Sequence, residues 1–444
     1  MRAPALIAAL AAAIALPVAA QPLTLSAAVD EALSRNPNAV AASAGIDVAR
    51  AQLREAQSGW LPRIDATEQL TRSNNPVFVF GSLLEQGRFG PQNFDVAFLN
   101  DPPPLQNARF NLNVRYAIFD QLRRLDAVRQ ARHGVDAAVS MNGEARQRIR
   151  FEVLSRFYGV AVAQQHVAVA REAVRSAEAD AAAMRDRFQQ GLLVESDLLA
   201  TEVQLASFRQ QLVVAEGDAA IAVAALNAVL HRPPAQPTEV AATLSDRTFE
   251  PLSLDEAIRG GLASRGEIRG AQAASAGAQL QLQTARGSLL PRVDAFASWG
   301  ASGRTISDHN GDHTAGLVVS LDLFDGGKYA RIAQAKGAAV AAKASEDSAR
   351  DAISMEIVAA WYHARSASER VAVASQAVGQ AESAARIVHD RYQQGLTTIT
   401  ENLRAQTALV AARLNLIAAR YDALVAHADL LRATGGLHDV SPFS

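Results

Sequence analysis

The chain of 444 residues contains no cysteine. That excludes a disulfide framework, a thiolate metal site and a cysteine nucleophile. Aromatic residues make up only 5%, thin material for a large globular core. Alanine is plentiful instead, which suits long, closely packed helices. The formal net charge of -2 gives no argument for nucleic acid or for an acidic substrate. After the first twenty residues no stretch offers about 18 uninterrupted apolar residues, so no transmembrane helix is expected. Gly-rich phosphate loops and His-Glu zinc motifs are also missing, and the scattered serines and histidines form no recognisable triad. An enzyme is not expected, and neither is a cofactor.

The first twenty residues read as an export signal. Arg2 gives a short charged start, Leu6 to Leu16 is an apolar run too short to span a bilayer, and Val18-Ala19-Ala20 offers small residues for cleavage. With no cysteine behind it, a thioether lipid anchor is not expected. An exported chain of this kind is either soluble or a β-barrel protein.

What the chain does contain, it contains twice. Leu61-Pro62-Arg63-Ile64-Asp65-Ala66 returns as Leu290-Pro291-Arg292-Val293-Asp294-Ala295, 229 residues later. Asp186-Arg187-Phe188-Gln189-Gln190-Gly191-Leu192 returns as Asp390-Arg391-Tyr392-Gln393-Gln394-Gly395-Leu396, 204 residues later. Such self-similarity means two copies of one structural unit.

Each copy opens on Pro-Leu-[Thr/Ser]-Leu, with Ser26 and Asp255 as candidate N-caps. One helix is expected to run to about Gly59 in the first copy and Ser288 in the second, where Leu-Pro stops it. The hydrophobic period then changes from 3.6 to 2. Phe110, Leu112, Val114, Tyr116 and Ile118 alternate with Asn111, Asn113, Arg115 and Ala117. In the second copy Val293, Ala295, Ala297 and Trp299 alternate with Arg292, Asp294, Phe296 and Ser298. Asn310-Gly311 predicts the hairpin turn there. His309 and His313 beside Asp308 and Asp312 read as a hydrated external loop rather than a metal site, because a spacing of four aligns ligands only on a helix. The connecting segment of the first copy is longer, with Asn75-Pro76 and Asp101-Pro102-Pro103-Pro104 as loop signals.

A very long helix follows each strand pair. Ile149, Val153, Phe157, Val160, Val167, Ala170, Val174, Ala177, Ala181, Met184 and Phe188 form one seam, and adding 204 to each gives an apolar or aromatic residue again. That spacing is a coiled-coil signature. Gly191 and Gly395 end these helices as C′ glycines, and leucine-rich return helices come back. From these signals we expect residues 1–20 as signal peptide and 21–232 as first repeat, with strands about 62–72 and 108–119 and a helical hairpin about 122–230. A proline-rich linker at 233–251 leads to a second repeat at 252–435, with strands about 291–301 and 314–324, a hairpin about 326–433, and a tail at 436–444.

Two strand pairs give four strands, too few to close a barrel. Three copies would give twelve and leave no edge, as a membrane demands. At this point the chain resembles the TolC-type outer membrane efflux family. The resemblance rests on the duplicated order of elements, the Leu-Pro strand starts, the Phe324-Asp325-Gly326-Gly327 strand exit and the Tyr392-x-x-Gly395 tip. It implies an α+β membrane protein built from a duplicated helix-β-β-helix-helix unit. Its homotrimer would form a 12-stranded β-barrel in the outer membrane, continuous with a long α-helical coiled-coil barrel in the periplasm.

The resemblance further implies the exit duct of a tripartite efflux or type I secretion system, gated at its periplasmic tips. A periplasmic adaptor and an inner-membrane transporter would be its partners. It places Asp197, Tyr392 and Glu401 at the gate or lumen, and Gly191, Leu192, Gly395, Leu396 and Thr397 at an adaptor contact. Two departures bear on the gate. Thr397 stands where some members carry a pairing arginine, and Arg404 replaces a second ring acid. The alternative is a soluble periplasmic coiled-coil scaffold using the same hairpins.

Overall fold

A computed structural model describes residues 22–242, 244, 252–305 and 307–443 of the chain. The expected signal peptide, and most of the linker beyond Leu244, lie outside the described residues. Both copies begin with a short helix and a longer one: α1 (Leu25–Arg35) and α2 (Pro37–Ser58), and later α7 (Leu254–Ser264) and α8 (Gly266–Gly287). Strands β1 (Arg63–Ser73) and β2 (Leu105–Phe119) follow in the first copy, and β3 (Arg292–Thr305) and β4 (Asp308–Ser320) in the second. Between β1 and β2 lie α3 (Pro76–Glu85), a short 3₁₀ turn (Pro91–Phe94) and α4 (Val96–Asn100). The long hairpins are α5 (Arg123–Gln189) with α6 (Glu195–Val229), and α9 (Gly326–Gln393) with α10 (Ile399–Ala433).

The opening helix of each copy is therefore broken, against expectation. Asn36 and Arg265, one repeat apart, both take extended backbone (ψ 126° and 130°). In the first copy Pro37 starts the second helix, where its fixed φ fits and its missing N–H is not needed. The N-caps are also earlier than expected. Thr24 caps α1, and Ser253 forms a capping box with Glu256 ahead of α7.

The chain folds into two compact units. The described residues of one fall within 1–43, 141–266 and 350–444 and include all of α6 and α10 and the C-terminal parts of α5 and α9. Its core joins α1 (Leu25, Ala28, Val29, Ala32) to α5 (Ile149, Val153, Leu154, Phe157, Val160) and α6 (Leu226, Val229). The expected tail belongs to this core. Leu437, Val440 and Phe443 are buried, and the Tyr158 hydroxyl donates to the Phe443 carbonyl. The first part of the expected linker is equally fixed. The Asn227 amide donates to Gln236 O (2.7 Å) and accepts from Thr238 Oγ1 (2.7 Å), and Val240 makes a parallel bridge with Leu23.

The other unit comprises residues 44–140 and 267–349. It contains one antiparallel sheet in the order β1-β2-β3-β4. The pairing puts Ile64, Val114, Ala297 and Ala315 in one row and Asp65, Asn113, Ser298 and Thr314 in the next. Alternation along each strand thus gives one mainly apolar face and one mainly polar face. The expected turn at Asn310-Gly311 is not a turn. Both residues lie within β4, opposite Ser302 and Ala301, and the reversal occurs between Thr305 and Asp308. Asn310 is held in the strand because its amide donates to Glu85 O at 3.0 Å.

One helix also departs from the composition argument. By length and hydropathy alone α6 is apolar enough to cross a membrane. It runs instead as the return arm of a hairpin, tied to α5 by Arg171–Glu216 (2.8 Å), Arg185–Glu202 (2.8 Å) and Arg209–Glu178 (2.7 Å).

Candidate functional site at the helical tips

The ends of α5 and α9 are built alike. Gly191 and Gly395 stand at φ +74° and +73°, a left-handed backbone that costs glycine little. Their N–H groups donate to Phe188 O (2.9 Å) and Tyr392 O (3.0 Å). The next amides, of Leu192 and Leu396, reach back to Arg187 O (3.0 Å) and Arg391 O (2.9 Å). This double bond pattern is the Schellman motif, which satisfies the last carbonyls of a helix and turns the chain sharply. It leaves Leu192 and Leu396 with nowhere to pack: they are 72% and 62% exposed.

The return helices start differently. Val194 precedes α6 without a side-chain cap, whereas Thr398 Oγ1 accepts from the Glu401 amide ahead of α10. Asp197 and Glu401 both lie in first turns, where a carboxylate opposes the positive end of the helix dipole. Thr397, half-buried, precedes the Thr398 cap.

The structure brings part of the expected constellation together. Tyr392, half-buried in the last turn of α9, donates its hydroxyl to Met184 Sδ of α5 at 3.1 Å. Burial raises its phenol pKa, opposed by Arg187 and reinforced by Asp197 and Asp180. At neutral pH it is therefore an uncharged donor lying within the field of Asp197. Glu401 stands apart from this group: its Oε1 faces Arg404 Nη1 at 3.5 Å, and both are exposed. Arg404 thus partly offsets the charge of Glu401.

Three contributors escaped the sequence reading. Gln406 donates to Asp180 Oδ2 at 2.7 Å, joining α10 to α5. Gln204 donates to Thr407 Oγ1 at 3.3 Å, joining α6 to α10. Arg185 makes two bonds to Glu202 Oε1 (3.0 and 2.8 Å) across the first hairpin. None of the three lies in a matched repeat position; Arg187, which acts on Tyr392, does, since it recurs as Arg391 in the repeated tip words. Among the described residues no cluster of His, Asp and Glu is arranged to hold a metal ion.

Comparison with known proteins agrees with this architecture. The family model for outer membrane efflux proteins matches residues 28–231 and 258–436. Protein CyaE of Bordetella pertussis is 27% identical over 341 residues, 75% of this chain and 72% of that protein. The outer membrane efflux protein BepC of Brucella suis is 25% identical over 426 residues, 93% of this chain and 85% of BepC. Among solved structures, the CmeC outer membrane channel of Campylobacter jejuni superposes with a TM-score of 0.81 at 18% identity. That superposition covers 94% of this chain and 86% of CmeC. The soluble-scaffold alternative is left without support. The chain belongs to the outer membrane efflux protein family, with the TolC-type channel fold, and is an outer membrane exit duct for efflux or secretion.

Proposed function

We propose that the duct is a passive trimeric conduit, closed at its periplasmic tips by Tyr392 and Asp197 and opened by a partner that docks there. The hydroxyl bond from Tyr392 to Met184 carries the reading. It ties the end of the second hairpin to the end of the first, and widening a tube of such hairpins requires that tie to break. Energy for export would come from an inner-membrane transporter, because this chain offers no nucleotide loop.

The trimer follows from the sheet and the seams. Four strands end in unpaired edges at β1 and β4, and twelve close. The first seam is buried from Ile149 to Met184 within one chain, while its counterpart from Val371 to Val388 is only half-buried. A neighbouring copy would cover the rest. On this reading residues 21–232 and 252–435 are the two repeats, each with one strand pair and one hairpin, and residues 1–20 are removed on export.

Leu192 and Leu396, lifted by Gly191 and Gly395 and flanked by Thr397, supply the contact for a periplasmic adaptor. Two exposed leucines on matching turns repeat around a trimer as six apolar points, the type of surface that marks a protein contact. Glu401, with Arg404 beside it, adds a charged ring at the entrance. The test is the chain purified from detergent-solubilised outer membranes, followed by oligomeric mass and planar-bilayer conductance. A trimer with small, mostly closed currents is expected. A soluble monomer without currents would overturn the reading.

A further inference from the structure

The long segment between β1 and β2 does not project outward. Its helix α3 packs on β2, β3 and β4 on the polar side of the sheet. Arg109, in the polar row of β2, is the centre of the attachment. Its Nη1 pairs with Glu85 Oε2 at 2.8 Å, and its Nη2 with Asp312 Oδ2 of β4 at 3.2 Å. Beside it the Gln86 amide donates to Asn107 Oδ1 at 2.8 Å and to Gly303 O at 3.3 Å. Ser302, which donates to Glu85 Oε2, is 0% exposed. Gly300 leaves the space this cluster needs: a Cβ there would lie 2.9 Å from both Arg109 Nη2 and the Asp312 carboxylate.

The segment is also internally packed. Phe80, Phe89 and Phe94 stack edge to face at 4.8 and 5.1 Å, and Val79 and Leu83 are buried. The reversal between β3 and β4 carries no comparable body. A membrane barrel turns its apolar face to lipid and its polar face to the lumen. A body seated on the polar face therefore sits inside the bore. Twelve strands spaced about 4.8 Å and tilted by about 40° make a ring roughly 24 Å across. A helix with its side chains is about 10 Å thick, so three such bodies would obstruct most of that width.

We propose that residues 75–104 form an inward-folded collar at the outer mouth that limits cargo size at the exit, latched to the barrel wall through Glu85–Arg109–Asp312. This rests on the channel reading above, since it needs an aqueous lumen. It is a second constriction, built on different residues from the tips and lying in the sheet-bearing unit.

The absence of cysteine makes a direct test available. Asn113→Cys places one thiol on the same polar face, four residues along β2 from Arg109. Intact cells would be treated from outside with water-soluble maleimide-polyethylene glycols of stepped mass. In the otherwise native chain small reagents should label the thiol and larger ones should not. Adding Glu85→Ala, which leaves every strand residue in place, should raise the labelling rate of intermediate reagents about tenfold or more, as expected when a charge-assisted latch is removed. Replacing residues 76–100 by a short Gly-Ser turn should remove the size limit. An unchanged limit in both variants would overturn the collar. If the thiol of the Gly-Ser variant reacts only with membrane-partitioning reagents, the polar face does not line water, and the channel reading itself fails.

Discussion

Tyr392 continues the apolar seam of α9 and also ends in a hydroxyl, so its two parts can be separated by substitution. Tyr392→Phe keeps the ring and loses the bond to Met184 Sδ, a net loss of about 1 kcal/mol. Tyr392→Ala removes the half-buried ring as well. Open probability in planar bilayers should rise modestly in the first variant and strongly in the second; equal, native-like currents in both would remove Tyr392 from the gate. A second residue gives a pH signature to the same unit. Burial pushes the His427 imidazole down to about 4, and its ring lies 5.7 Å from Phe443 of the buried tail. The unfolded imidazole titrates near 6.5, so between about 6.5 and 4 the unfolded chain binds the extra proton and folding weakens as pH falls. Above about 6.5 this contribution is constant. His427→Gln should flatten the pH dependence of thermal unfolding within that window and leave it alone above.

The breaks in the opening helices show how much of an element the sequence reveals. The hairpins, the strand pairs and the C′ glycines were legible because each rests on a strong local rule: a seam at 3–4 spacing, a period of two, a left-handed backbone. The break at Asn36 had a local signal that the expected single helix passes over, Pro37 directly behind it. Arg265 has no proline behind it, and its break is fixed by distant partners. Both breaks also carry long-range bonds. The Asn36 amide donates to Val229 O at 2.9 Å. Arg265 is 3% exposed and donates to Ala433 O (3.1 Å), with Glu356 at 3.2 Å and Glu144 at 3.7 Å. The Asn310-Gly311 signal failed for the same reason, since the partner that keeps Asn310 extended, Glu85, is 225 residues away. At the tips, Tyr392 stands in the repeated word and Asp197 was singled out by the family resemblance alone, both as proposed gate residues, whereas the Asp180–Gln406 bond joins helices whose neighbourhood no local pattern encodes. Arg265→Met tests the second break. Removing one member of a buried ion cluster costs about 3–5 kcal/mol. The low end is expected here, because Glu356 keeps Arg432 (2.8 Å) and Glu144 keeps the Gly266 amide (2.6 Å). Arg265→Lys should recover only part, since an ammonium cannot reproduce the forked contacts. Denaturant midpoints of the purified variants would measure both.

For the whole molecule, the question is what covers the surface that one chain leaves apolar. The return helix α6 has the hydropathy of a membrane span, yet its ion pairs hold it in a hairpin with α5. Val203 and Ile221 on it are 70% and 67% exposed. Left in water, such a helix would cost solubility and favour aggregation. If it packs against the half-buried seam of the next copy, it would close a ring of hairpins in the same way that β1 and β4 would close a ring of strands. On that packing the trimer would be a single requirement, met at once by helices and sheet. Val203→Asp and Ile221→Asp separate them. In an isolated chain each is an exposed substitution, usually within about 0.5 kcal/mol of neutral, so helical content should be unchanged. In the ring each buries an unpaired carboxylate at an apolar seam, which costs several kcal/mol per site and is counted three times. The double variant should therefore keep its circular dichroism and lose its trimeric mass in detergent, together with its conductance. A double variant that still sediments as a trimer would show that this face of α6 points away from the subunit seam, and would leave the barrel strands alone to hold the three copies together.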